Sequence, residues 1–182
     1  VNALGYSAER FARMLGLYTG LYPVKHQALI THRLPNLGKN GDILDMLIDR
    51  RKRNDFSAVY GQQFAETGQI IACASPAVDA KAEIRNFDEL KFNTRRFMEI
   101  ISEVFCDWIP SLATVPVQAT WSGYYVEPRY IIQPDNGLFV GLQGHGFMLA
   151  QYLAKLYVDK ALGRTVPDYI CLLYTSPSPR DR

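Results

Sequence analysis

Leu138-Phe139-Val140-Gly141-Leu142-Gln143-Gly144-His145-Gly146-Phe147 is the stretch that decides the fold. Three apolar residues read as a buried strand. A glycine-rich loop follows, and Phe147 to Leu162 reads as a helix ended by Gly163. Strand, glycine loop and helix in this order place backbone N–H groups against a ligand. Glycine permits close approach, and a helix N-terminus carries about half a positive charge. Such a device suits a phosphate, a carboxylate, an oxyanion or the reduced ring of a flavin. The plain alternative is that the glycines only allow tight strand–helix packing. Gly-x-x-Gly-x-Gly is not the dinucleotide spacing Gly-x-Gly-x-x-Gly. Gln151, Lys155 and Asp159 form one polar stripe on the helix, so its other faces are expected to be mostly buried.

Upstream, Asp135-Asn136-Gly137 reads as a tight turn and Val117 to Val126 as a strand. Phe97, Ile100, Ile101 and Val104 mark an amphipathic helix, with Asn93 as its expected N-cap. Asp79 to Leu90 is polar and expected to be loop. Phe56 to Phe64 and Gln69 to Ser75 are two strands joined by Glu66-Thr67-Gly68. Arg50-Arg51-Lys52-Arg53 reads as a solvated turn, and Ile43 to Ile48 as a short apolar segment of open type. Residues 24–32 form a strand. Residues 1–5 form a short apolar run, and Ser7 stands as the N-cap of a helix stopped by Gly16. The fold class expected is α/β, with an α+β middle.

The 182 residues are 48% hydrophobic and 21% charged, which excludes a disordered or collagen-like chain. A net charge of +2 gives no electrostatic reason to expect nucleic acid or an anionic membrane. No transmembrane segment or signal peptide is read. Cys73, Cys106 and Cys171 lack metal-ligand spacing, so no metal is expected and a reducing compartment is favoured. Residues 171–182 break with the rest and resemble an in-frame sequencing adaptor. They are expected to be an artefact and are set aside.

Four segments together carry a family resemblance. Val1-Asn2-Ala3-Leu4-Gly5-Tyr6-Ser7-Ala8 resembles "VNAAGxWA", and Pro23-Val24-Lys25-His26-Gln27-Ala28-Leu29-Ile30-Thr31 resembles "PVxHQYLVT". Trp121-Ser122-Gly123-Tyr124-Tyr125 with Glu127-Pro128 resembles "WAGxY…TP", and Gly141 to Phe147 resembles "GxxGHGF". In this order they are similar to the FAD-dependent oxidoreductases of the D-amino-acid oxidase, sarcosine dehydrogenase and glycine oxidase family.

The resemblance implies the carboxy-terminal part of a longer flavoenzyme, inactive by itself. Part of a Rossmann-like FAD-binding domain would occur at 1–20 and 116–170, and a β-rich antiparallel substrate domain at 21–115. It implies FAD as cofactor, near Ala3, Gly5, His26, Gly141, Gly144, His145, Gly146 and Phe147. Tyr60 and Gln62, on one face of their strand, would meet the substrate; the opposite face with Val59, Gly61 and Gln63 is the alternative. Tyr124, Tyr125 and Arg129 would hold a substrate carboxylate. The family's "TPDGLPIIG" is replaced here by Glu127-Pro128-Arg129-Tyr130-Ile131-Ile132-Gln133, which weakens a glycine-oxidase-like substrate pocket. No catalytic acid or base is assigned.

The implied reaction is oxidation of the C–N bond of an amino acid or N-methylated amino acid, with the electron acceptor left open. The partner is then a small-molecule amine, and homo- or hetero-oligomers remain compatible. The compartment is the cytoplasm, or the mitochondrial matrix in a eukaryote. The alternatives are a non-catalytic FAD-binding or partner-binding subunit of an amine dehydrogenase, and a plain α/β binding domain.

Overall fold

The computed structural model describes residues 3–18, 20–34, 37, 43–51, 53–76, 92–127, 131–133 and 138–165, with side chains left aside at 131–133, 138 and 139. The polar 79–90 segment, the 135–137 turn, Arg129 and the 171–182 tail lie outside the described residues. The chain divides into two compact units, 1–23 with 125–182, and 24–124.

The 24–124 unit is built on a five-stranded sheet in the order β2-β3-β4-β1-β5. Its strands are β1 (Tyr22–Thr31), β2 (Leu47–Asp49), β3 (Phe56–Gln63), β4 (Ile70–Pro76) and β5 (Val117–Glu127). Each pair with a described register is antiparallel. β5 lies beside β1, where the His32 N–H donates to the Pro116 carbonyl at 3.0 Å. The β3–β4 hairpin closes through Glu66-Thr67-Gly68 as the sequence predicts. The Phe64 N–H donates to Gln69 O, and Gly68 takes φ +69° to reach Phe64 O.

Helix α2 (Arg95–Trp108) covers one face of this sheet. Its apolar stripe, Phe97, Ile100, Ile101, Val104 and Phe105, packs on Leu29, Phe56, Val59, Ile70, Ala72 and Ala74. Each large apolar side chain so buried contributes about 1.5–3 kcal/mol. Thr94, rather than Asn93, is the N-cap: its Oγ1 accepts from the Phe97 N–H at 3.2 Å. The Asn93 amide is engaged elsewhere, donating to Ala28 O at 2.7 Å, while buried Gln27 accepts from the Thr94 N–H at 2.6 Å. The helix therefore starts where β1 anchors it.

The basic run is solvated at Arg50 and Arg51, as the sequence predicts, but Arg53 is largely buried and two guanidiniums of the run are paired. Arg51 and Arg53 close on the buried Asp49 carboxylate at 2.7 and 2.9 Å, and Arg51 also reaches Asp107 on α2. These guanidiniums, Arg51 first, hold the Asp49 carboxyl well below the usual carboxylate range, against the opposing effect of burial.

The other unit holds a 3-10 turn (Gly5–Ser7), α1 (Ala8–Met14), the antiparallel pair β6 (Ile131–Gln133) and β7 (Leu138–Val140), and α3 (Gly146–Ala161). Ala3 and Leu4 belong to no strand, and Ser7 makes no capping bond through its side chain. Gly16 takes φ +72° after α1, as a helix stop requires. The core is Ala8, Leu21, Val126 and Val140, with Tyr6 against it. Among the described residues α3 is largely exposed, where the sequence predicts it mostly buried. Only Leu153, Leu156 and Asp159 are buried, whereas Phe147 is fully exposed and Met148 is 68% exposed. Asp159 is drawn in by Lys155 and Arg164.

Candidate functional site

Sheet pairing sorts the strand residues into rows that cross the sheet. Asp49, Val59, Ala74 and Gln27 form one row; Leu47, Gly61, Ala72 and Leu29 form another. Both lie on the α2 side, because Val59, Ala72, Ala74 and Leu29 belong to its core. The intervening residues must point the other way. One row there is Ile48, Tyr60, Cys73 and Ala28; the next is Gln62, Ile71 and Ile30. Tyr60 and Gln62 thus share the face away from α2, and the alternative residues Val59, Gly61 and Gln63 are spent on the core. His26, two residues before Ala28, falls on the Tyr60 face by alternation and is half-buried.

Cys73 was not singled out by sequence reasoning, yet it lies directly across from Tyr60 and shares a hydrogen bond with it. Burial pushes its thiol up, and the Tyr60 bond draws it partly back. Tyr124 is half-buried near the end of β5. A cleft of about 580 Å³ lies on the opposite side, between α2 and the sheet, and includes Glu99, Glu103 and Cys106. None of the residues chosen from sequence lines it.

The second set of candidate residues belongs to the other unit. Gly141 is buried with φ +72°, and Gln143 takes φ +55°, the left-handed region that non-glycine residues avoid. The chain then enters α3 through a 3-10 turn (Gln143–His145), where the His145 N–H donates to Leu142 O at 2.9 Å. His145 stands at the N-cap, and its side chain makes no capping bond to the first turn. A Cβ on Gly144 would stand 3.1 Å from the Tyr125 hydroxyl; on Gly146 it would make an ordinary 3.6 Å contact with Leu142. Gly5 has φ +54° and open space around it, and Ala3 is exposed.

Gln143 and Glu127 were missed by the sequence reading. The Gln143 amide donates to Val126 O at 3.0 Å and to the Glu127 carboxylate at 2.8 Å. Nothing in the glycine spacing announces this. A residue set among glycines reads as filler until its backbone angle is known.

The loop's chemistry fits a flat group bearing negative charge or carbonyl oxygens at its edge. A left-handed glycine, a glycine whose Cβ would crowd the Tyr125 hydroxyl and a helix start without a side-chain cap meet there. Among the described residues, no group of three or more His, Cys, Asp or Glu side chains could hold a metal ion. No described helix is long and apolar enough to cross a membrane. Cys73 and Cys106 form no disulfide.

Comparison with known proteins gives the following. A family model described as FAD dependent oxidoreductase (DAO) matches residues 1–160. "FAD-dependent oxidoreductase domain-containing protein 1" of Xenopus laevis is 26% identical, over 87% of this chain and 34% of that protein. Among solved structures, L-proline dehydrogenase from P. horikoshii matches with a TM-score of 0.61 and 27% identity, over 92% of this chain and 44% of that one. Glycine oxidase from Geobacillus kaustophilus shares the fold at a TM-score of 0.63 and 19% identity, over 97% of this chain and 44% of that one. The chain thus spans about a third of the curated relative's length and less than half of each solved chain.

Proposed function

The chain belongs to the DAO family of FAD-dependent oxidoreductases, and from that premise we propose that it supplies the flavin-edge loop and the substrate-covering sheet of an enzyme oxidising the C–N bond of a small amino acid. A secondary or N-methylated amine such as proline, sarcosine or dimethylglycine is the substrate class favoured. The 27% identity to a proline dehydrogenase over 92% of this chain supports it. Residues 1–20 and 116–170 are assigned to a Rossmann-like FAD-binding domain and 21–115 to the substrate domain.

The observation that carries the proposal is the glycine loop. It opens α3 without a side-chain cap, and a Cβ at Gly144 would crowd the Tyr125 hydroxyl. Bound FAD supplies the two-electron acceptor for the hydride leaving the carbon next to nitrogen. The residues of this chain do the rest. The backbone of Gly141 to Phe147 offers N–H groups and helix-end partial charge to the flavin edge. Ala3, Gly5 and His26 complete the cofactor side. Tyr60, backed by Cys73, donates its phenol hydrogen to a substrate carboxylate. Gln62 adds an amide on the same face, and Tyr124, Tyr125 and Arg129 are further carboxylate ligands. Water hydrolyses the imine product. Orientation and desolvation carry the rate, with no strong acid or base assigned.

The test is anaerobic flavin bleaching of the full-length protein with L-proline, sarcosine, dimethylglycine, glycine, D-alanine and a carboxylate-free amine. Bleaching by a secondary or tertiary amino acid is expected. A colourless protein overturns the cofactor assignment. A yellow one that no amine bleaches favours a non-catalytic FAD-binding subunit.

A further inference from the structure

Gln143 sits in a backbone conformation that costs a non-glycine residue free energy and persists only where its surroundings hold it. Glycine stands two positions before it and immediately after it. Among the described residues, the side-chain contacts that hold it come from the end of β5. Both N–H groups of the Gln143 amide are used, one on the Val126 carbonyl and one on the Glu127 carboxylate. Tyr125, the next residue back on β5, lies under Gly144. Three consecutive strand residues therefore seat two consecutive loop residues, one step before α3 begins.

We propose that Gln143 and Glu127 form a latch that positions the glycine loop for the flavin, acting as positioning residues and never touching the reacting atoms. This rests on the flavin reading above. The chemistry of the pair is specific. Asparagine is one methylene too short for the same reach. Glutamate would set a carboxylate against two acceptors. Glycine would keep the left-handed backbone without strain but lose both bonds, so it separates the side chain's role from the backbone's. The bond to a carboxylate is the stronger of the two by type, because its acceptor is charged.

The experiment uses the full-length, flavin-loaded protein and the variants Gln143→Gly, Gln143→Glu and Gln143→Glu with Glu127→Gln. Two quantities are read: hydrogen exchange of amides 141–147, and the FAD dissociation constant. Gln143→Gly is expected to speed loop exchange and weaken FAD by about tenfold, at every pH. Gln143→Glu places two carboxylates face to face. Its loop should loosen at about pH 8 and tighten toward about pH 5, as one carboxylate takes a proton. Wild type measured over the same range accounts for the titratable groups of the adjoining elements, among them His145, Tyr124, Tyr125, Tyr6 and Glu9. In the double variant the amide introduced at position 127 donates to the carboxylate introduced at position 143, so exchange should slow again at about pH 8.

Wild-type exchange and wild-type affinity in Gln143→Gly would overturn the latch. So would a Gln143→Glu loop whose exchange shows no added pH dependence. Faster exchange with unchanged FAD affinity would overturn the positioning of the flavin. A wild-type protein that holds no FAD would overturn the flavin reading, while the exchange data would still decide whether the latch exists.

Discussion

Gly61 on β3 and Phe105 on α2 occupy one another's space. A Cβ built on Gly61 would clash with the edge of the Phe105 ring and stand 2.8 Å from the Ile71 carbonyl oxygen. The glycine lets the helix approach the sheet directly behind the Tyr60 and Gln62 face. Gly61→Ala should destabilise the protein by about 1–3 kcal/mol, because the ring must move off its packed position. Adding Phe105→Leu should recover part of the loss. Urea unfolding of both variants measures the coupling, and a neutral Gly61→Ala would contradict this packing.

Asp49 provides a pH prediction. Its carboxyl lies below the ordinary range in the folded state, held by Arg51 and Arg53. Its stabilising contribution is therefore complete above the unfolded value near 3.9, and declines as pH falls toward the lower folded value. Asp49→Asn should cost about 1.5–3 kcal/mol near neutrality. The gap between wild type and variant should narrow below about pH 4. Urea midpoints across acid pH measure that gap; one that widens on acidification would refute the clamp.

The Tyr60 face carries the substrate prediction. Tyr60→Phe removes one donor to a charged carboxylate, a bond of about 1.5–3 kcal/mol. Steady-state kinetics with the best amino-acid substrate should show KM raised roughly 10- to 150-fold if the loss is equal in ground and transition states. Glu99→Gln, in the cleft on the α2 side, should leave KM near wild type. Equal effects of the two variants would remove Tyr60 from the pocket.

The loop prediction separates two roles for Tyr125. Gly144→Ala should lower flavin content, whereas Gly146→Ala should be tolerated, since its Cβ meets only an ordinary contact. Removing the hydroxyl with Tyr125→Phe should restore flavin to Gly144→Ala. If Tyr125→Phe instead raises KM without restoring flavin, Tyr125 is a carboxylate ligand and not a seat for the loop.

What the sequence made legible was periodic or punctuated. The α2 stripe, the Glu66-Thr67-Gly68 turn, the Gly16 stop and the loop into α3 all rest on spacing or on glycine. What it hid were single side chains spent on backbone groups far away. Gln27 on the start of α2 and Gln143 on the end of β5 leave no pattern, because one buried amide has no period. The basic run misled for a related reason. Four consecutive cationic residues read as solvated until a buried Asp49 is found paired with two of them, Arg51 and Arg53. Asn93 misled because its amide serves Ala28 while the next residue caps the helix. The apolar faces of α3 show what a surface prefers to touch, and hydropathy cannot report whether it is covered.

Gln63 is buried beneath the β3–β4 turn, and its amide is fully subscribed. The nitrogen donates to Leu37 O and Gly68 O, both at 3.1 Å, and the oxygen accepts from the Leu44 N–H at 2.8 Å. Two donors and one acceptor at that reach belong to one side chain in the genetic alphabet. Glutamate inverts the donors, asparagine falls short, and leucine or methionine strands three polar groups from solvent. In a saturation-mutagenesis scan this position should accept no replacement, although its amide is spent on backbone groups of this chain. A map of tolerance would flag it as strongly as a catalytic residue. Conservation at Gln63 should therefore be read as the signature of a knot tying three loops, and not as a clue to chemistry.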